Sequence, residues 1–280
     1  MQTKRMKMVE NGSNKYIIGV LVLLLFSLRL FSQTNLSGKP GLLYTPSALE
    51  LKDGDFQFGY NYNPIHYGLI GAKKNPEQVW YARLTLIPRF EISISLLQML
   101  NSKYRDVSQI QGIGDRSMDF RYLILRETPK RPSLTVIMTA PFIIHGPMLT
   151  HVLVATKNFT LTDSWKLETS IGYGSPYYIY RAVSNNSNST FLKGFVLQKK
   201  STNNFKNHYL EGPFGGAILH FRKKAGLMVE YDSQHINVGG YVTFFKKWTL
   251  QAGLLNGDQV MFGTSLNTNL LKSLTFLKKK

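Results

Sequence analysis

The residues best able to do chemistry do not converge on a catalytic motif. The six histidines are dispersed, and the chain contains no HExxH pair, no Gly-x-Ser-x-Gly elbow and no phosphate-cradling glycine-rich loop. Cysteine is absent, which excludes a disulfide framework and any thiolate-held zinc or iron-sulfur site. His66, His145, His151 and His235 fall on or beside segments that read as long loops, where an enzyme could set a His/Ser pair. Loop histidines are more often simply solvated, so the sequence yields no catalytic residue, no cofactor and no metal site. A second set is spaced more regularly: Glu91, Asp119, Arg121, Lys166, Glu168 and Glu230 each occupy the polar phase of an alternating polar/apolar segment. That phase points all six to one face, where they would form a hydrated charge network if the face lines a lumen.

The elements that position these residues alternate with a period of two. Phe56, Phe58, Tyr60 and Tyr62 alternate with Gln57, Gly59 and Asn61, and Phe90, Ile92, Ile94 and Leu96 with Glu91, Ser93 and Ser95. The pattern recurs in Met118–Ile124, Leu167–Tyr173, Leu227–Tyr231, Leu250–Leu254 and Val260–Leu266, and no helical period of comparable length competes with it. With the weaker runs it predicts twelve strands, near 55–62, 79–87, 90–98, 116–126, 134–142, 151–159, 165–174, 210–221, 226–232, 236–245, 248–255 and 259–267. Most are long enough to cross a bilayer at a tilt. A further apolar run at Phe191–Gln198 would, with a partner, raise the count to fourteen.

Connections sharpen the prediction. Short links at 88–89, 127–133, 160–164, 222–225 and 246–247 fall on one side of the sheet. Long ones at 63–78, 99–115, 143–150 and 175–209 fall on the other, with short exceptions at 233–235 and 256–258. Short turns at one rim and long loops at the other, with an even strand count, are the arrangement of an outer-membrane barrel, whose closure removes the sheet edges that lipid cannot satisfy. Phe90, Phe159, Trp165, Phe221, Phe245 and Trp248 at the short-turn ends, with Tyr62, Tyr173, Tyr177 and Tyr231 at the other, would form two interfacial girdles. The expected fold is therefore an all-β antiparallel transmembrane barrel over 55–280.

Residues 1–32 read as an export signal, with Lys4, Arg5, Lys7 and Lys15 ahead of an apolar run from Ile17 to Leu28. The run is shorter than the roughly 20 residues a spanning helix needs, and Arg29 ends it. Residues 33–54 form a segment ahead of the first strand, placed either at the periplasmic rim or inside the lumen, and a twelve-stranded interior is small enough for such a segment to plug it. Formal net charge is +18; five basic residues less Glu10 leave with the signal, so +14 remains on 33–280. Export and the lack of a recognition module exclude nucleic acid as the partner. Anionic lipid head groups of the outer membrane of a Gram-negative bacterium, or an acidic polymer, fit better. The basic turns Lys130-Arg131, Arg222–Lys224 and Lys246-Lys247 could hold lipid phosphates or could be merely solvated.

Three stretches carry a resemblance. Gly41-Leu42-Leu43-Tyr44-Thr45-Pro46-Ser47-Ala48, followed by Asp53-Gly54, resembles the opening of the YjbH family. Gly112-Ile113-Gly114-Asp115-Arg116-Ser117-Met118-Asp119 is similar to its Gly-Asp-Arg-Ser segment, with Val154–Lys157 and Gly172–Gly174 following. Gly212-Pro213-Phe214-Gly215-Gly216 and Val229-Glu230-Tyr231-Asp232 complete the set. The resemblance implies an outer-membrane barrel that assists secretion or assembly of an extracellular polysaccharide, alongside polysaccharide-export proteins. Typical members are longer and carry a second barrel-sized region, and the stretch Thr139–Pro147 departs from the family pattern. A general outer-membrane channel or structural surface protein is the alternative reading, and a barrel enzyme acting on lipid or glycan a third. Gly114, Asp115, Arg116 and Ser117 read as structural, the glycine admitting positive φ and the charged pair bridging across the rim.

Overall fold

The computed structural model describes residues 33–67, 69, 75–100, 115–141, 148–181, 194–200, 208–222 and 224–271. The expected signal at 1–32, His145 and Gly114 lie outside this set.

Twelve strands close into one antiparallel barrel. They are β1 (Asp55–Asn63), β2 (Glu77–Ile87), β3 (Phe90–Met99), β4 (Asp115–Leu125), β5 (Ser133–Thr139), β6 (His151–Thr160) and β7 (Trp165–Gly174), then β10 (Gly212–Phe221), β11 (Ala225–Tyr231), β12 (Ile236–Phe244), β13 (Trp248–Leu255) and β14 (Gln259–Asn269). Each pairs with its sequence neighbour in the barrel, β7 pairs with β10, and β1 pairs with β14 from Asp55↔Asn269 to Tyr62↔Phe262, which closes the ring. The predicted barrel and its count of twelve are borne out, with strand bounds shifted by a few residues at most. The fourteen-strand alternative is corrected in an instructive way. Two further strands, β8 (Tyr177–Arg181) and β9 (Phe195–Lys199), do form, but as a separate hairpin within the longest loop. Five residues each cannot span hydrocarbon, so Tyr177 belongs to this hairpin rather than to a rim girdle.

Alternation settles which face is which. In β1 the buried residues are Asp55, Gln57, Gly59, Asn61 and Asn63, while Phe56, Phe58, Tyr60 and Tyr62 face outward. The same holds for Glu91, Ser93 and Ser95 against Ile92 and Ile94, and for Glu230 against Val229 and Tyr231. Polar groups are inside and Ile94, Ile171, Leu227 and Val260 outside, half exposed or more, with Phe262 beside them. In water this would be upside down; in hydrocarbon it is the stable arrangement, because the strand ladder satisfies every spanning backbone group. Outward rings stack across strands, Phe58 on Trp80 at 5.9 Å and Tyr62 on Phe262 at 4.9 Å. Trp165 and Phe221, 4.8 Å apart, mark the short-turn rim. Among the described residues no helix is long and apolar enough to cross a membrane.

The hairpin is tied to the rim. The Ile179 amide donates to His151 Nε2 at 3.1 Å, and the Lys200 ammonium donates to the Tyr209 carbonyl at 2.8 Å. Burial of Lys200 lowers its pKa from the ordinary 10.5 to about 8, because the charged form is poorly solvated there. Between those values the undocked state holds more protons than the docked one, so hairpin docking should strengthen as pH rises from about 8 toward 10.5. Hydrogen exchange of the β8–β9 amides, corrected for intrinsic rate, should show protection rising across that window; falling protection would contradict the assignment.

Candidate functional site

The interior is occupied by the chain's own residues 33–49. This segment folds on itself before it meets the wall. Asn35 Oδ1 accepts from the amides of Ser37 at 3.1 Å and Lys39 at 3.0 Å, a side-chain-closed turn that Gly38 completes at φ +84°. Bonds from the Leu36 amide to the Leu43 carbonyl at 2.7 Å and from the Ser47 amide to the Pro40 carbonyl at 2.7 Å fold the segment into a compact double loop. All its residues from Gln33 to Ala48 are buried.

The wall then satisfies what the loops leave unpaired. Glu230 on β11 accepts from the amides of Leu43 at 3.2 Å, Tyr44 at 2.8 Å and Thr45 at 3.1 Å, and from the Thr45 hydroxyl at 2.8 Å. Asn61 on β1 donates to the carbonyls of Asn35 at 3.0 Å and Leu36 at 2.8 Å, and Arg121 on β4 to those of Ser47 at 3.3 Å and Leu49. The Ala48 amide donates to Thr156 Oγ1 at 2.7 Å, and Gln33 to Gln251. These partners come from five strands around the ring (β1, β4, β6, β11 and β13), so the segment crosses the lumen rather than lying against one wall. Its apolar tip is seated by missing side chains. A Cβ on Gly253 would strike Leu43, one on Gly239 would come within 3.1 Å of it, and one on Gly216 within 2.7 Å of Leu42. Three glycines on β10, β12 and β13 thus form a flat platform for two leucines.

The six inward charges are not one network. Glu230 and Arg121 hold the plug. Asp119 pairs with Lys39 of the plug at 2.6 Å and also accepts from Thr139 Oγ1 at 2.6 Å. Glu91 faces Arg83 Nε at 3.4 Å. Glu168 accepts from His220 Nε2 at 3.0 Å, while Lys166 has no side-chain partner among the described residues. Both ions of the Lys39–Asp119 and Arg83–Glu91 pairs are buried.

A family profile described as exopolysaccharide biosynthesis protein YbjH matches residues 33–280, which takes in the plug as well as every barrel strand. The chain belongs to the YjbH family. Among solved structures it is similar to a KdgM porin at 10% identity, over 76% of this chain and 98% of the porin, with a TM-score of 0.39. No curated protein matches it.

In this YjbH-family barrel the Gly41–Ala48 stretch is the plug tip, and the Phe214-Gly215-Gly216 and Glu230 stretches supply its seat and its anchor. Asp115, Arg116 and Ser117 open β4, where Ser117 shares a hydroxyl contact of 2.6 Å with Ser95. Arg116 is exposed and makes no ion pair among the described residues, so the expected bridge across the rim is not formed through it. The loop histidines take separate roles: His66 is exposed, His151 holds the hairpin, and His235 packs on Tyr67 at 4.9 Å. None of the three has a serine hydroxyl as partner among the described residues. No cluster of three or more metal-ligating side chains occurs among the described residues.

Sequence reasoning overlooked Lys39, Arg83 and His220. Arg83 and His220 do sit in the polar phase of their strands, a signal that was available; Lys39 lies in a turn with no period to mark it. Removing the Lys39 ammonium would leave Asp119 buried without its counter-ion, a change that typically costs about 3–5 kcal/mol. Lys39→Ala should therefore lower the unfolding temperature in detergent markedly, and Asp119→Asn added to it should recover part of the loss. Equal melting of Lys39→Ala and the parent would show that the pair is not formed.

Proposed function

We propose that this chain is an outer-membrane barrel that assists the secretion or assembly of an extracellular polysaccharide. The observation that carries the proposal is the match of 33–280 to a family described by exopolysaccharide biosynthesis. An outward face of Leu, Ile, Val and aromatic side chains supports residence in lipid, with residues 1–32 as the cleaved export signal of a Gram-negative envelope protein. Outer-membrane lipid would contact that belt. A lumen filled by residues 33–49 favours handling of polymer at the rims, in company with polysaccharide-export proteins, over a permanently open diffusion channel. The extracellular loops and the β8–β9 hairpin are the surfaces available to polymer outside the cell.

In-frame deletion of the coding sequence in its own host tests this reading. Surface polymer, extracted and quantified as total sugar, should fall severalfold and return on complementation, while the yield of unrelated outer-membrane barrels stays constant. Unchanged polymer in the deletion strain would overturn the proposal and favour a structural surface role.

A further inference from the structure

Below the plug, at the short-turn mouth, a cavity of about 380 Å³ opens between residues 49–51 and the wall of β6, β7, β10 and β12. Its size lies within the range of small-molecule sites. Three inward side chains form a relay on its wall: the Tyr241 hydroxyl lies 2.6 Å from His220 Nδ1, and His220 Nε2 lies 3.0 Å from Glu168 Oε2. With the proton on Nε2, Tyr241 donates to the ring and the ring donates to the carboxylate, which fixes both the imidazole and one oxygen of Glu168. The other oxygen, Oε1, is buried and has no protein donor. Unsatisfied buried acceptors are uncommon and call for an explanation. Lys166, on the same wall one strand residue pair away, has no side-chain partner among the described residues, and Asp163 and Ser164 line the lip.

The cavity thus offers a free acceptor and a cationic donor at the mouth that faces the inside of the cell envelope. The charge around it narrows what could bind. Carboxylates of Glu50, Asp55, Asp163 and Glu168 outnumber the cations Lys166 and Arg222, in a chain that carries +14 from residue 33 onward. Arg222 is moreover held at its own rim, donating to Ser164 Oγ at 3.2 Å with its guanidinium 5.2 Å from the Phe221 ring. An anion would meet net negative charge here, whereas neighbouring hydroxyl groups can donate to Glu168 and accept from Lys166 at once.

We propose that this cavity is a glycan subsite for one or two sugar residues without negative charge, with Glu168 and Lys166 as the hydrogen-bonding pair and His220 and Tyr241 as positioning residues. The inference rests on the polysaccharide reading above and deepens it: the subsite would engage a chain or chain end presented from the periplasm, before the plug. Cellobiose, maltose and N,N′-diacetylchitobiose are suitable neutral probes, with digalacturonate as the acidic comparison, each titrated into the intact mature chain in detergent and followed by saturation-transfer NMR.

At least one neutral disaccharide should bind saturably and more tightly than digalacturonate. Glu168→Gln and, separately, Lys166→Ala should each weaken it roughly tenfold, the loss expected when a hydrogen bond to a charged group is removed. Lys166→Ala protects the test against a folding defect, since that side chain has no partner among the described residues. No saturable binding of any neutral probe, tighter binding of digalacturonate, or affinity indifferent to both substitutions would each overturn the subsite. Polymer lost on gene deletion with no sugar binding in vitro would sink the subsite alone; sugar binding with polymer output unchanged would sink the export reading instead.

Discussion

Replacing Glu230 with alanine should release the plug while leaving the barrel closed. Three backbone amides and one hydroxyl of Leu43–Thr45 end on this one carboxylate, and Asn237 Nδ2 donates to it at 3.0 Å. Without it those donors stay buried and unpaired, at roughly 1–3 kcal/mol each, so the plug's docking should weaken by several kcal/mol even if some water enters. The barrel ladder does not depend on the side chain, since β11 keeps its backbone pairing to β10 and β12. Chymotrypsin offers a clean readout, because Leu42, Leu43 and Tyr44 are nearly inaccessible in the docked segment. Cleavage there should accelerate at least tenfold in Glu230→Ala, with heat-modifiable migration of the barrel retained. Cleavage at the parental rate would mean that Glu230 does not hold the segment.

The second large effect concerns conductance. A barrel of eight strands is filled by its own side chains, and one of sixteen leaves an aqueous channel; at twelve, what occupies the interior decides. The intact chain from residue 33 should give little steady current in planar bilayers, because residues 33–48 are buried within the ring. A chain lacking 33–49 should give steps at least several times larger. Glu91, Asp119, Glu168 and Glu230 would then line the lumen against Arg83, Arg121 and Lys166, so the current should favour cations. Large, steady conductance from the intact chain would refute the closed lumen and promote the general-channel reading.

Much of this fold could be read from the sequence because a strand's two faces are written into alternate residues. Phe56–Tyr62 and Phe90–Leu96 announce both the strand and which side meets lipid, and rim connections of unequal length announce the closure. The hairpin in the longest loop was half legible: the apolar run at Phe191–Gln198 did yield a strand, Phe195–Lys199, but its partner Tyr177–Arg181 fell within the loop at 175–209, with only Tyr177 grouped among the rim aromatics. The wall's contacts with the plug were not legible. Glu230 and Tyr44 are 186 positions apart, and no periodic signal links a turn residue to the strand that receives it. Gly216, Gly239 and Gly253 were opaque for a different reason, because a glycine in a strand ordinarily signals a bulge or a bend. Here the absent side chains are the feature, and they acquire meaning only once Leu42 and Leu43 stand above them.

The central claim, that the barrel is closed by its own leading segment, can be tested in the membrane. The chain has no cysteine, so Leu43→Cys combined with Gly253→Cys supplies the only two thiols. The Leu43 side chain reaches the place where a Gly253 Cβ would stand, which brings the two substituted positions within reach of a disulfide. Mild oxidation of isolated outer membranes should join them in most molecules, read as loss of free thiol and as a linkage between peptides spanning residues 43 and 253 in the digest. Neither single substitution should form an intramolecular bond. Both thiols remaining free and open to alkylation, in barrels that migrate as folded, would place the segment elsewhere and contradict the account.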